Sequence, residues 1–251
     1  MAKRQSDSTP IPLLLASDFF GFLLSLLPVT LTYFLTWKFF SEIASTAFFI
    51  PLLLVAPWVA CLIFILIVGS VRMLFPQMKP GSYRVGLNAG FVSWSLNFYL
   101  NRAIEISGLR RFIFTNNILR FSYLRVMGTK VHFRMNGSMG IDLMDLPLLE
   151  IGEGSTLTEG VMVSAHSFTG QILVLSRTRI GENVFLGTGV TLGPGTDIGS
   201  RSWIGARNIF LADKIPPDSN IPNFVWDRGN PAKIEKAVVK LGGEEGKGSP
   251  A

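Results

Sequence analysis

Few residues in this chain are equipped for chemistry. Its 251 residues include two histidines, His132 and His166, and one cysteine, Cys61. An imidazole titrates near neutrality, so a neutral histidine can take the proton from a hydroxyl or amine as that group attacks a carbonyl. Three carboxylates, Asp142, Asp145 and Glu150, lie between the two histidines. A carboxylate beside an imidazole fixes which ring nitrogen carries the proton; the sequence does not choose among the three. Cys61 stands inside an apolar run, where it packs, and a lone cysteine forms neither an intrachain disulfide nor a paired-cysteine metal site. A zinc hydratase needs three histidine ligands, so two histidines set that reading aside and no metal is expected.

A repeat sets the position of His166. From Ile151 the chain reads in sixes: IGEGST, LTEGVM and VSAHSF, then, after five extra residues, VLSRTR, IGENVF, LGTGVT, LGPGTD, IGSRSW and IGARNI. An aliphatic residue heads every hexad, glycine follows it at 181, 187, 193, 199 and 205, and the fifth place of most hexads is small or β-branched. A period of six suits neither a helix nor a hairpin ladder. It suits a solenoid in which each hexad supplies one short parallel strand and one corner, its leading side chain turned inward. His166 is the fourth residue of the third hexad, and the extra residues 169–173 predict a loop leaving the solenoid just beyond it.

These hexads resemble the left-handed parallel β-helix of the hexapeptide-repeat acyltransferases, over roughly residues 128–236. The left hand is taken from the resemblance, because parallel crossovers in general favour the opposite one. The resemblance implies a homotrimer in which a histidine beside such a loop is the general base at a cleft between two subunits, a place that His166 matches. It also implies acetyl-CoA or a longer acyl-CoA as co-substrate. Backbone amides at Gly187 and Gly205 would meet the pantetheine arm, and Arg207, Arg228 or Lys233 its phosphates. The segment Gly229-Asn230-Pro231-Ala232-Lys233 matches the family's closing turn, after which a short C-terminal helix is expected. Asp213 precedes Lys214 where relatives often have the reverse order, and 223–228 is an insertion bearing Trp226. His132 falls outside clean register and is read as structural, and 237–251 as a flexible tail.

The chain ahead of the repeat is what must position it. At 48% hydrophobic and 16% charged, the sequence is too apolar for an ordinary soluble domain. After a basic, disordered segment at 1–10, two apolar runs at 11–36 and 43–69 each exceed the roughly 30 Å hydrocarbon core when helical. They predict a transmembrane hairpin over 11–72 that turns at Trp37–Glu42, with Asp18 in a structural role near the first helix's start. Lys3 and Arg4 before it and Arg72, Lys79 and Arg84 after it put both ends and the β-helix in the cytoplasm, at a bacterial inner membrane. Between Lys79 and Arg134 stand nine basic residues and one acid, Glu105, interleaved with aromatics. Residues 73–127 therefore read as amphipathic helices in the interface, held by anionic lipid. No nucleic-acid motif accompanies these charges, and such a partner is not expected. The fold class is thus mixed: membrane hairpin, interfacial helices, then β-helix. The expected function is acyl transfer from acyl-CoA to a hydroxyl or amine of a membrane-associated acceptor, lipid- or glycan-linked, with His166 as base. The alternative is a non-catalytic trimeric scaffold that organises a membrane complex.

Overall fold

A computed structural model describes residues 11–43 and 49–224, giving backbone alone for 11–18, 43 and 49–53. The basic N-terminus, the closing turn with Arg228 and Lys233, the C-terminal helix and the tail lie outside the described residues.

Helices α1 (Ile11–Ile43) and α2 (Phe49–Met73) contain stretches, Phe19–Glu42 and Leu54–Met73, long and apolar enough to cross a membrane. The expected turn at Trp37–Glu42 is instead helical, because nothing in it breaks a helix, and α1 runs on to Ile43. Three shorter helices follow: α3 (Ala89–Ile106), α4 (Arg110–Thr115) and α5 (Asn117–Val126). Asn88 starts α3 by accepting the Phe91 amide, and Asn116 starts α5 by accepting those of Ile118 and Leu119.

These helices form a layer between hairpin and repeat. Tyr33 Oη donates to the Ser107 carbonyl at 2.6 Å and Ser25 Oγ to that of Tyr99 at 2.7 Å. Both pairs are 74 residues apart, so α3 runs parallel to α1 in constant register. Gly21 makes this close approach possible, since a Cβ there would stand 2.2 Å from the Tyr99 ring. On the other side α5 lies along α2, with the Tyr123 ring stacked 6.5 Å from that of Phe64.

The expectation that the basic segment meets lipid through its arginines is corrected at two of them. Arg120 is buried at 3% exposure and donates to the carbonyls of Phe114, Met135 and Gly137 and to Asn117 Oδ1, at 2.7–3.0 Å. Arg110 pairs with Glu105 at 2.6 Å and donates to the carbonyls of Met139 and Ile141. Both clamp the first coil of the repeat, whose irregular backbone leaves these carbonyls free to accept. Arg111 and Arg125 remain exposed.

Residues 130–221 wind through three parallel sheets of five, five and four strands, each strand pairing with its equivalent one coil away. This is the parallel β-helix that the hexads predict. Leading residues Ile151, Leu157, Val163, Ile180, Leu186, Leu192, Ile198 and Ile204 are all at most 3% exposed and stack along the axis. Most fifth-place residues are buried too, and their hydroxyls satisfy corner carbonyls: Ser155 Oγ donates to Gly181 O at 2.6 Å and Ser202 Oγ to Pro216 O at 3.1 Å. The second-place glycines are needed for close approach: a Cβ on Gly199 would meet Pro217 N at 2.3 Å. One hexad departs from the reading. Val174, head of VLSRTR, is only half-buried, because the chain has left the β-helix there.

Candidate active site

The expected loop is a β-hairpin, His166–Thr169 with Ile172–Leu175, turning at Gly170. A strand that the sequence did not reveal, Gly81–Arg84, pairs with its second arm and makes a three-stranded antiparallel sheet. Fourth places of neighbouring hexads take positive φ, as at Gly160 (70°) and Gly189 (70°), and turn the corner. His166 occupies that place in its own hexad, but here the chain runs straight on as a strand. The break in the repeat is thus what lifts the imidazole off the corner.

Beneath it stands Asp145. Leu143 pairs with Val163 in the coil above, which sets Asp145 under Ala165. Asp145 Oδ2 lies 2.6 Å from His166 Nδ1 and accepts the Ala165 amide at 3.0 Å. The carboxylate is 1% exposed and the imidazole 17%. An ionised carboxylate is an acceptor only, so with Asp145 in that form Nδ1 carries the proton and Nε2 presents its lone pair. Ser164 Oγ lies 3.2 Å from Nδ1 and 3.4 Å from Oδ2, against the same edge of the ring. Asp145 holds a left-handed backbone (φ 57°) that aspartate tolerates better than most residues. Of the three candidate carboxylates, the register therefore selects Asp145. Glu150 is engaged elsewhere by Lys130, Arg177 and Arg179, each at 2.8 Å, and Asp142 faces solvent.

Helix α3 closes the other side. Trp94 Nε1 donates to Asp145 Oδ1 at 2.8 Å, and its ring meets His166 edge-on at 5.2 Å and Phe168 at 5.4 Å. Trp94, Ser164 and Phe168 were not singled out by sequence reasoning. Ser164 and Phe168 flank His166 in its own hexad, which was a signal available for them. Trp94 sits 72 positions away among many aromatics, and no pattern marked it.

The remaining expected contacts are not gathered at this point. Gly187 and Gly205 stack at the next corner of the β-helix, with Arg207 exposed beside them. Their amides donate to Ile204 O at 2.8 Å and Ile221 O at 2.7 Å. Both glycines are buried, and these amides are used between coils of the β-helix. His132 sits at a third corner, 3.6 Å from Glu153 and among exposed groups. An open groove of about 600 Å³ lies near it, lined by Phe133, Arg134, Glu153 and Glu182, without any residue of the Asp145–His166 pair.

No protein-family model matches the sequence, and no curated protein matches it significantly. Among solved structures, the chain is similar to a maltose O-acetyltransferase from Clostridium difficile 630, with 21% identity, 47% of this chain and 80% of that one covered, and a TM-score of 0.38. It is similar to a hexapeptide-repeat-containing acetyltransferase from Vibrio cholerae at 15% identity, covering 47% and 84%, with a TM-score of 0.35. It is also similar to a serine acetyltransferase from Neisseria gonorrhoeae at 19% identity, covering 51% and 52%, with a TM-score of 0.25. By its own hexads and stacked coils, the chain is a hexapeptide-repeat β-helix protein carrying two apolar helices at its N-terminal end.

Proposed function

We propose that this protein is an acyltransferase that moves an acetyl or longer acyl group from acyl-CoA to a hydroxyl or amine of a membrane-associated acceptor. The observation that carries this reading is the Asp145–His166 pair, whose carboxylate is buried and whose imidazole stays partly exposed. In the proposed reaction the acceptor's oxygen or nitrogen attacks the thioester carbonyl while His166 Nε2 takes its proton. The tetrahedral intermediate collapses, the carbon–sulfur bond breaks, and the proton on His166 passes to the departing coenzyme thiolate. Asp145 stays ionised, holds the ring in one tautomer and stabilises the transient imidazolium. Direct attack requires no protein nucleophile, which agrees with the single cysteine lying in the hairpin, buried.

The coenzyme is proposed to run past the corner at which Gly187 and Gly205 stack, with Arg207, Arg228 and Lys233 taking its phosphates. Because that corner and His166 are separate edges of one β-helix, a homotrimer that sets one copy's corner beside another copy's histidine is part of the proposal. Two helices of membrane-spanning length support an acceptor held in or at the bilayer, lipid- or glycan-linked. The flanking basic residues support placing both ends on the cytoplasmic side of a bacterial inner membrane.

The test is acyl-CoA turnover by purified protein across acetyl to palmitoyl donors. His166→Ala is expected to lower turnover by about 10²-fold or more while the assembly stays intact. Turnover within a few-fold of wild type in that variant would remove the assignment.

A further inference from the structure

We propose that Trp94, a residue of the helical layer, is a positioning residue for the Asp145–His166 pair, so that the β-helix does not hold a complete site by itself. The inference rests on the proposed role of His166 for its effect on turnover, but not for its effect on the imidazole.

The two oxygens of Asp145 have unequal surroundings. Oδ2 receives His166 Nδ1 at 2.6 Å and the Ala165 amide at 3.0 Å, with Ser164 Oγ at 3.4 Å. Oδ1 receives Trp94 Nε1 at 2.8 Å. The carboxylate is 1% exposed, so water does not replace a missing donor. Without the indole N–H, Oδ1 becomes a buried unpaired acceptor, and rotation of the carboxylate would relieve it by drawing the Ala165 amide or the imidazole to the wrong oxygen. The indole also fixes the plane of the ring it serves. It stands edge-on to His166 at 5.2 Å and is itself stacked on Phe98 at 5.2 Å. Trp94 is 8% exposed, and α3 is keyed to α1 through the bonds of Ser25 and Tyr33. Trp94 thereby links the seating of the two apolar helices to the histidine. Asp145 is the ionisable group within hydrogen-bond reach of His166 among the described residues.

Two variants of the full chain test this. Trp94→Phe keeps an aromatic ring in the stack and removes the donor. Incorporation of β-(3-benzothienyl)alanine at position 94 keeps the shape of the bicyclic ring and replaces N–H by sulfur. With two histidines in the chain, ring-¹⁵N labelling reports His166 directly, whatever the reaction. The expected result is a single tautomer, Nδ1–H, in wild type and a mixture of Nδ1–H and Nε2–H in both variants. Turnover should fall about tenfold at unchanged KM for the acyl donor, the loss of one charge-assisted hydrogen bond. Phe98→Leu, which removes a stacking partner and no donor, should leave the tautomer as in wild type. A single Nδ1–H tautomer in either folded variant would overturn the proposal, whether or not turnover had fallen. If wild type transfers no acyl group to any acceptor, the proposed function fails, while the tautomer experiment still decides the role of Trp94.

Discussion

Replacing Arg120 by methionine keeps most of the side chain's length and removes a guanidinium that four oxygens depend on. Phe114 O, Met135 O, Gly137 O and Asn117 Oδ1 each lie 2.7–3.0 Å from its nitrogens, and the residue is 3% exposed. Three of those partners are main-chain carbonyls that cannot turn away. At about 1 kcal/mol for each acceptor left unpaired, the cost is about 3–4 kcal/mol. The loss falls on the joint between α4–α5 and the first coil, so that coil should open more readily than the rest. Hydrogen exchange read at the Asn136 and Ser138 amides, which donate to Ser155 O and Leu157 O, should quicken by about 10²- to 10³-fold. Arg125→Met, at an exposed site on the same helix, should change exchange by less than about threefold. If Arg120 instead served anionic lipid, Arg120→Met would leave exchange at these amides untouched and weaken liposome association more than Arg125→Met. That pair of results would refute the clamp.

Asp145→Asn should fold, since asparagine accepts the left-handed backbone at this position, but it presents Nδ1 with a group that can donate as well as accept. Turnover is expected to fall about 10²-fold or more, and Tm to fall with it, because the new NH2 must face the N–H of either Trp94 or Ala165; near-normal turnover would leave the carboxylate without a role. Burial tends to raise the Glu150 carboxyl, but hydrogen bonds from Lys130, Arg179 and Arg177 outweigh it and hold the group at about 2. A depressed carboxylate contributes stability that is present above its unfolded pKa and lost as pH falls through its folded one. Glu150→Gln should therefore lose about 1 kcal/mol at neutral pH, a modest figure because solvent screens the exposed cations, and progressively less relative to wild type as pH falls through about 2. Equal stability of the two proteins at pH 7 would count against the cluster. Gly199→Ala would drive a Cβ to 2.3 Å from Pro217 N, which belongs to the next coil and cannot yield without shifting it. Chemical denaturation should show a loss of about 2–3 kcal/mol, and an unchanged midpoint would mean that the coils are not so closely stacked.

The part of the fold with the shortest period was the most legible. A hexad head that is apolar, a second place without Cβ and a fifth place small enough for a corner each answer to one steric demand repeated in most coils, so most of residues 151–209 spell out their own structure. His166 was legible for the opposite reason, as the place where the pattern stops. Asp145 was not, because the coil that holds it, between Lys130 and Leu148, is turned by irregular segments whose register only the paired strands reveal. Trp94 reaches the site through tertiary packing alone. Arg110 and Arg120 were misread for an instructive reason: a basic, aromatic-rich helix looks the same in sequence whether its guanidiniums meet lipid phosphates or the open carbonyls of an irregular coil. The strand Gly81–Arg84 carries too few residues to show a period, and its existence depends on the hairpin it joins.

The most direct test of the central claim is to follow label from [¹⁴C]acyl-CoA into the lipid extract of membranes containing the wild-type protein or His166→Ala at matched amounts. Acyl transfer by the Asp145–His166 pair predicts labelled product with wild type and at most about 1% of that rate with the variant. Equal labelling by the two proteins would show that the transfer, if this protein performs it, does not use His166.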